Sequence, residues 1–153
     1  MNGGLVQTIG TAVDLQPGTE SISICWYDLT IAPRNWPLGV STLGSTHQFG
    51  TNVAHNNGNV REKFAAGCSG ASQDGQPPYV WALASVAAQD QFEMKVFDGT
   101  DWLDLATGPK DIVGQLYSGH DKGFDLRMVL PDSITACAGV SQTVTVTITA
   151  SKD

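Results

Sequence analysis

Apolar and polar residues alternate with a period of two along most of the chain. The stretch QTVTVTITA, residues 142–150, places its valines and its isoleucine on one face and four threonines on the other. The same alternation recurs in GFDLRMVL, residues 123–130, and in QFEMKVF, residues 91–97. One apolar face and one polar face are typical of an antiparallel strand that covers a core on one side and meets water on the other.

Turn-forming clusters separate these alternating stretches. Examples are APRNWPLG, residues 32–39, and GCSGASQDGQPP, residues 67–78. No segment carries an apolar stripe of helical period over three turns, and no linker or repeat divides the chain. The pattern predicts a single all-β domain over residues 1–153, an immunoglobulin-like antiparallel sandwich of about nine strands, with a jelly-roll-like variant as the alternative.

The segment HQFGTNVAHNNGNVREKF, residues 47–64, interrupts two alternating stretches with three asparagines and a glycine. Asn57-Gly58 is a typical two-residue hairpin turn, in which the glycine takes a positive φ. Asn56 and Asn59 can cap neighbouring backbone groups with their side chains. The segment therefore predicts a β-hairpin. A ligand-binding loop or an amide-rich catalytic loop is the alternative interpretation.

This segment resembles the pattern V-x-N-x-G-N-V-x-E-x-F of immunoglobulin-like sandwich domains in bacterial and archaeal surface-layer and filament proteins. The TasA/camelysin group carries a related NTGN turn. The similarity extends over about residues 36–150, through WPLGVSTLGST before the hairpin and YVWALASVAAQDQFEMKVF after it. The chain has Ala54-His55-Asn56 where the pattern has V-T-N. The resemblance implies a secreted structural protein with a sandwich fold.

The composition narrows the classes of partner. Charged residues make up 15% of the chain and the net charge is −7, against about 25% charged residues in a typical domain. With no basic stripe, we expect neither nucleic acid nor an anionic membrane surface as a partner. No apolar run approaches the ~18 residues that span a bilayer, so we expect no membrane insertion.

The N-terminal MNGGLVQTIG lacks the basic region and apolar core of a signal peptide. Two expectations follow. The sequence is the mature form of an exported protein at the cell surface, or Met1 is the initiator of a virion protein.

Three cysteines, Cys25, Cys68 and Cys137, are too far apart for a redox or zinc-ribbon motif. Cys68 and Cys137 each lie in a loop-like stretch beside Ala and Gly, where the backbone can adapt to a disulfide, so we predict a bridge between them. Cys25, between Ile24 and Trp26, is then expected to be free and packed. Three buried thiols are the alternative.

Candidate chemistry is sparse. Ser69 does not lie in a G-x-S-x-G elbow, and no pair of carboxylates is singled out for acid–base work. We therefore predict that the protein is not an enzyme. Asp98, Asp101 and Asp104 in DGTDWLD offer hard oxygen ligands at short spacing, a candidate for Ca²⁺, although Asp98-Gly99 is also a normal hairpin turn. No other cofactor or metal is expected.

Four tryptophans leave a further alternative open. In a sandwich, tryptophans fill the core and plug its ends, but a row of them can also stack on sugar rings. The sequence does not decide between a core, an interface and a carbohydrate platform for Trp26, Trp36, Trp81 and Trp102.

The pattern of residues 1–18 predicts an N-terminal strand or arm. Leu5, Ile9 and Val13 share one face and Val6 lies on the other, behind the pair Gly3-Gly4. Such a segment suits strand addition to a neighbouring molecule. The predicted function is a structural subunit of an extracellular filament or surface assembly, a homopolymer built head to tail. The alternatives are a capsid decoration, coat or tail subunit of a virion, and a carbohydrate- or calcium-binding module.

Overall fold

The structure, a computed structural model, describes residues 25–72, 80–135 and 141–153. These residues form nine strands and one short 3₁₀ helix, so the all-β prediction is confirmed. Within them, no helix is long and apolar enough to cross a membrane. The strands are β1 (Leu29–Ala32), β2 (Thr46–Asn56), β3 (Glu62–Cys68), β4 (Ala82–Leu83), β5 (Gln91–Phe97), β6 (Trp102–Asp104), β7 (Lys110–Leu116), β8 (Asp121–Val129) and β9 (Val146–Lys152), and the helix is Leu105–Thr107.

The strands form two sheets. The larger sheet has the order β1-β2-β8-β5-β4, with β6 also paired to β5, and the smaller sheet has the order β7-β3-β9. Every pairing is antiparallel except that between β4 and β5. The predicted antiparallel sandwich is confirmed over the described residues.

The core lies between the inward faces of the two sheets. In β8, Phe124, Leu126 and Met128 are buried and alternate with more exposed residues, as the period of two predicts. Burying each such side chain contributes about 1.5–3 kcal/mol. The buried apolar residues are Ala54, Phe64, Ala66, Ala71, Phe92, Met94, Val96, Leu105, Ile112, Leu116, Phe124, Leu126, Met128 and Leu130.

The connections follow the jelly-roll variant of the predicted fold. Among the connections between the two sheets, one joins β2 to β3 and another joins β7 to β8. Because β2 pairs with β8 and β3 pairs with β7, the two crossovers lie side by side. A two-stranded ribbon therefore folds over the core, as in a jelly roll.

The predicted hairpin over residues 47–64 is wrong. Strand β2 pairs with β1 and β8, whereas β3 pairs with β7 and β9 in the other sheet. Residues 57–61, hereafter the arch, carry the chain from one sheet to the other. A turn between two alternating stretches does not reveal whether both strands join the same sheet, because each strand buries one face in either arrangement.

Gly58 has a different role from the predicted one. Among the described glycines, positive φ values occur at five other positions, and Gly58 is not one of them. Gly58 is buried, and a Cβ built on it would overlap Glu62 Oε1 and lie 2.6 Å from the carbonyl oxygen of Trp26. Glycine is needed here because other chain segments approach its backbone closely.

We predict that Gly58→Ala destabilises the protein by about 1–3 kcal/mol, because the added methyl group must displace packed oxygens. Gly114→Ala is the matched control, since a Cβ at Gly114 in β7 meets no atom within 4 Å. Urea unfolding of the two variants and the parent measures the difference. Equal midpoints for the two variants would show that the close approach at Gly58 is absent.

Candidate functional site

The described residues leave a cleft of about 1000 Å³ between the two sheets. Inward-facing side chains of the larger sheet, among them Phe49, Leu126 and Met128, line one wall. Val146 at the start of β9 and residues 141–145 just before it line the opposite wall, and the loop 34–43 borders the cleft. The lining is mostly apolar, and Arg34 is the one charged residue that the described lining contains.

Strand β9 forms the open side of this cleft. In the described part of the chain it is hydrogen-bonded only to β3. Just before it, Thr143 exchanges two backbone hydrogen bonds and Thr145 accepts one on the β3 side, with lengths of 2.7–3.2 Å. Because backbone groups alternate in direction along an antiparallel strand, those of Val146 and Ile148 point to the other, unpaired side. This edge can accept another strand.

The side chains of β9 are incompletely covered. Val146 and Ile148 face the interior but are only partly buried, whereas Leu126 and Met128 on β8 are 1% and 4% exposed. Among the described strands, the smaller sheet has three and the larger sheet has six. The larger sheet therefore extends beyond the cover that the described part of the smaller sheet provides.

The loop that borders the cleft is anchored through Trp36. Its Nε1 donates to Asn52 Oδ1 at 2.7 Å, and Asn52 Nδ2 donates to the carbonyl oxygen of Phe49 at 2.7 Å. Asn52 is fully buried at the register shift of β2. Trp36 also packs against Phe49, with 6.4 Å between ring centroids. These contacts fix the wall of the cleft around a buried amide.

The tryptophans do not share one face. Trp36 and Trp81 line the cleft, while Trp26 is 59% exposed near the arch. Trp102 carries the guanidinium of Arg127 over its ring, 4.6 Å from the centroid. A cation–π contact of this kind occupies the ring face that a sugar would need.

The predicted assembly residues Leu5, Val6, Ile9 and Val13 lie outside the described residues. The described residues contain the cleft that could receive a strand. Strand donation from residues 1–18 therefore stays a prediction.

The side chain of Asn56, the last residue of β2, forms hydrogen bonds that hold the arch. Asn56 is fully buried, and its Nδ2 donates to the carbonyl oxygens of Val60, at 2.9 Å, and Leu116, at 2.8 Å. Ser118 Oγ donates to the carbonyl oxygen of Gly58 at 2.5 Å. These bonds link the β2–β3 crossover to the neighbouring β7–β8 crossover. They satisfy backbone groups that leave the sheet ladders there.

Two further amides attach residues 25–30 to the arch. Asn57 Nδ2 donates to Thr30 Oγ1 at 2.6 Å, and Asn59 Oδ1 accepts from the backbone N–H of Trp26 at 2.9 Å. The local capping predicted for Asn56 and Asn59 is found at Asn56, which donates to Val60, whereas the bond of Asn59 is to Trp26, 33 residues away. Asn57 contacts a hydroxyl of β1 and is not part of a hairpin turn.

Glu62, which the sequence analysis missed, lies beneath the arch with no exposed surface. Its Oε1 accepts from the backbone N–H of Asp28 at 3.1 Å. Burial raises the pKa of Glu62, the hydrogen bond from Asp28 lowers it, and the charge of Asp28 raises it, with a net upward shift. The sequence did carry a signal for the burial of Glu62. It lies two residues before Phe64, and residues two apart in a strand share one face.

Two of the three predicted calcium ligands, Asp98 and Asp104, accept backbone N–H groups. Asp98 Oδ1 accepts from the N–H groups of Thr100, at 2.7 Å, and Asp101, at 2.9 Å, which lowers the pKa of Asp98. Gly99 has φ 107°, so the predicted Asp98-Gly99 turn is confirmed. Asp104 caps the 3₁₀ helix, because its Oδ1 accepts from the backbone N–H of Ala106 at 2.9 Å. Neither this trio nor any other three His, Cys, Asp or Glu side chains within the described ranges form a group that could hold a metal.

Cys68 carries a free thiol at the end of β3, and its Sγ donates to the carbonyl oxygen of Ser69 at 3.2 Å. Burial raises the pKa of Cys68 to about 11. The predicted bridge between Cys68 and Cys137 is therefore wrong, because Cys68 is free and its thiol bonds to the Ser69 carbonyl; Cys137 itself lies outside the described residues. Cys25 is free but exposed. The expected packing of Cys25 is wrong, because β1 begins only at Leu29.

No known family model matches the chain. A search of curated proteins also gave no match. The functional argument therefore depends on the cleft, the β9 edge and the arch.

We predict that Cys68 reacts much more slowly with iodoacetamide than Cys25 in the folded protein at pH 8. The thiolate is the reactive form, and with a pKa of about 11 Cys68 is almost entirely protonated at this pH. Its rate should increase as the pH rises toward that value. Peptide mapping after timed alkylation measures both sites, and equal rates would contradict the burial of Cys68.

Proposed function

We propose that the protein is a structural subunit of an extracellular filament or surface assembly. In this proposal, residues 1–18 of one copy add a strand beside β9 of the next copy. The observation that supports it is the apolar cleft next to an edge that is unpaired among the described strands. Strand addition uses such an edge for main-chain hydrogen bonds and its pockets for alternate side chains.

The energetics favour a segment with alternating apolar residues. Ordering a strand costs about 1–2 kcal/mol of backbone entropy per residue. Leu5, Ile9 and Val13 lie on one face of an extended segment, and each can recover about 1.5–3 kcal/mol on burial. Backbone hydrogen bonds to the free side of Val146 and Ile148 add to this gain. A terminal segment left in water gains neither contribution.

Charge also supports contact between copies at the cleft. Like-charged subunits repel one another, and each chain carries a net charge of −7. The described cleft lining contains one charged residue, Arg34, so its apolar walls bring no repulsion of their own. Interface cores are depleted in charged residues in the same way.

The geometry of the proposed contact gives an open assembly. A donor segment and an acceptor cleft are different surfaces, so the contact is heterologous and forms rings or filaments. The described part of the chain begins beside the arch, because the backbone N–H of Trp26 donates to Asn59. The cleft is lined by Phe49, at the other end of β2. Extended residues span about 3.3 Å each, so residues 1–24 are long enough to reach a cleft in their own or a neighbouring copy.

A virion subunit is the second candidate. The nested pairing of β2 with β8 and of β3 with β7 is a jelly-roll feature, and jelly rolls occur in viral capsids and in lectins. Fold alone does not assign function. This candidate shares the proposed self-assembly and differs in the particle that is formed. Electron microscopy of the assembled protein would separate a filament from a closed shell.

We predict that deleting residues 1–12 gives a folded monomer, whereas the parent polymerises. Far-UV circular dichroism measures folding and light scattering measures size. A peptide of residues 1–18 should bind the truncated chain, and a scrambled peptide of the same composition should not.

Two results would contradict strand donation between copies. One is a truncated chain that polymerises like the parent. The other is a truncated chain that loses its β-sheet signal and regains it with the peptide while the parent stays monomeric, because that result indicates insertion into the chain's own cleft.

We predict that Val146→Lys reduces polymerisation at least tenfold, while Thr147→Lys has little effect. The two positions are adjacent in β9, but Val146 lines the cleft and Thr147 is exposed on the outer face. A charge in the cleft must lose water when a strand docks. The critical concentration for assembly is the measurement, with circular dichroism as the folding control. Equal effects of the two lysines would exclude this face as the docking surface.

A further inference from the structure

Oxygen atoms from three chain segments converge beneath the arch. Around the α-carbon of Gly58 lie the carbonyl oxygen of Trp26, the Oδ1 atom of Asn56 and the Oε1 atom of Glu62. The first two are 2.6 and 3.1 Å from the position that a Cβ of Gly58 would take, and the third would overlap it. The three oxygens therefore lie on the same side of the Gly58 backbone, each within 3.1 Å of one point.

The charge of Glu62 is not balanced by a cationic side chain. None of the ion pairs formed by the described residues includes Glu62. The charge that acts on it is that of Asp28, which has the same sign. A fully buried carboxylate with a like charge nearby is costly unless a proton or a cation joins it.

Within the described parts of the chain, two buried side-chain oxygens have no hydrogen-bond donor. They are Asn56 Oδ1 and Glu62 Oε2, and both residues have no exposed surface. The Asn56 amide cannot be turned over to hide its oxygen, because Nδ2 already donates to the carbonyl oxygens of Val60 and Leu116. A reversed amide would place an oxygen against both carbonyls. The Asn56 Oδ1 atom is therefore held toward the same space as the Glu62 carboxylate.

We propose that this cluster, hereafter the arch site, binds a Ca²⁺ ion. Its ligands are the Glu62 carboxylate, Asn56 Oδ1 and the Trp26 carbonyl oxygen, and Asp28 supplies a second negative charge. Carboxylate, amide and carbonyl oxygens in irregular geometry are the donors that Ca²⁺ takes, whereas Zn²⁺ favours His and Cys. Asp28 and Trp26 are exposed, so the ion reaches the site from that side.

This site differs from the predicted one in the kind of donor. Asp98 and Asp104 accept backbone N–H groups, whereas Glu62 Oε2 and Asn56 Oδ1 are buried without a hydrogen-bond donor among the described residues. The arch site combines the Glu62 carboxylate with two neutral oxygens, from Trp26 and Asn56, which are far apart in the sequence. An ion there would link the start of the described chain to the ends of β2 and β3. Binding is expected to stabilise the crossover, independently of the proposed polymerisation.

Thermal unfolding of the full chain tests the proposal. After EDTA treatment and dialysis, CaCl₂ at about a hundredfold excess over its dissociation constant should raise the Tm by about 5–10 °C. Glu62→Gln keeps the shape but removes the charge, and should abolish the rise. Asp101→Asn, in the β5–β6 turn, is the matched control and should keep it.

Terbium luminescence provides a measurement that does not depend on how the variants fold. Tb³⁺ replaces Ca²⁺ at oxygen sites and emits when a nearby tryptophan is excited. The wild-type chain should bind one Tb³⁺ with sensitised emission that Ca²⁺ displaces. Trp26→Leu retains the backbone carbonyl, so it should lose most of the emission while Ca²⁺ still raises its Tm.

Three outcomes would overturn the proposal. They are a wild-type chain with neither a Ca²⁺-dependent Tm nor Tb³⁺ emission, a Glu62→Gln variant that keeps the full Ca²⁺ response, and an Asp101→Asn variant that loses it. A proton on Glu62 in place of the ion gives the first outcome, with Glu62→Gln as stable as the parent.

Discussion

The two hydrogen bonds of the Asn56 side chain hold together two neighbouring crossovers of the sandwich, the β2–β3 and the β7–β8 connections. A chain that leaves one sheet for the other must leave its ladder, and its backbone groups then need other partners. Asn56 Nδ2 supplies one donor to Val60 and one to Leu116, on either crossover. Because β2 pairs with β8 and β3 with β7, the nested sheet order depends on these crossovers lying side by side.

The same region explains why small and polar residues are concentrated at one end of the molecule. Gly58 admits the oxygens of neighbouring segments, and Glu62 lies beneath it as a buried charge. Removing one partner of a buried polar network costs more than the partner contributes, because the other is left without a hydrogen bond. The opposite end of the sandwich is apolar and open beside β9. The arch therefore stabilises the fold at one end, and the cleft presents a contact surface at the other.

Much of the fold could be predicted because a period of two records which face of a strand is buried. The alternation in residues 91–97 places Phe92, Met94 and Val96 on one apolar face, and all three are buried. The Asp98-Gly99 turn was also predictable, since its two strands are adjacent in sequence and in the sheet. The cleft was not predictable, because its walls come from residues more than ninety positions apart, such as Phe49 and Val146.

The sequence by itself determined the all-β class and the apolar face of each strand, because local alternation encodes burial. It also placed the breaks between strands, because Gly, Pro and Asn favour turns through their own backbone preferences. Tertiary structure alone decided that β2 and β3 belong to different sheets. It also decided that other chain segments approach the backbone of Gly58 closely, and that Glu62 is buried beneath the arch. These outcomes depend on contacts between residues that are distant along the chain, such as Trp26 with Asn59 and Asn56 with Leu116, and no local pattern carries that information.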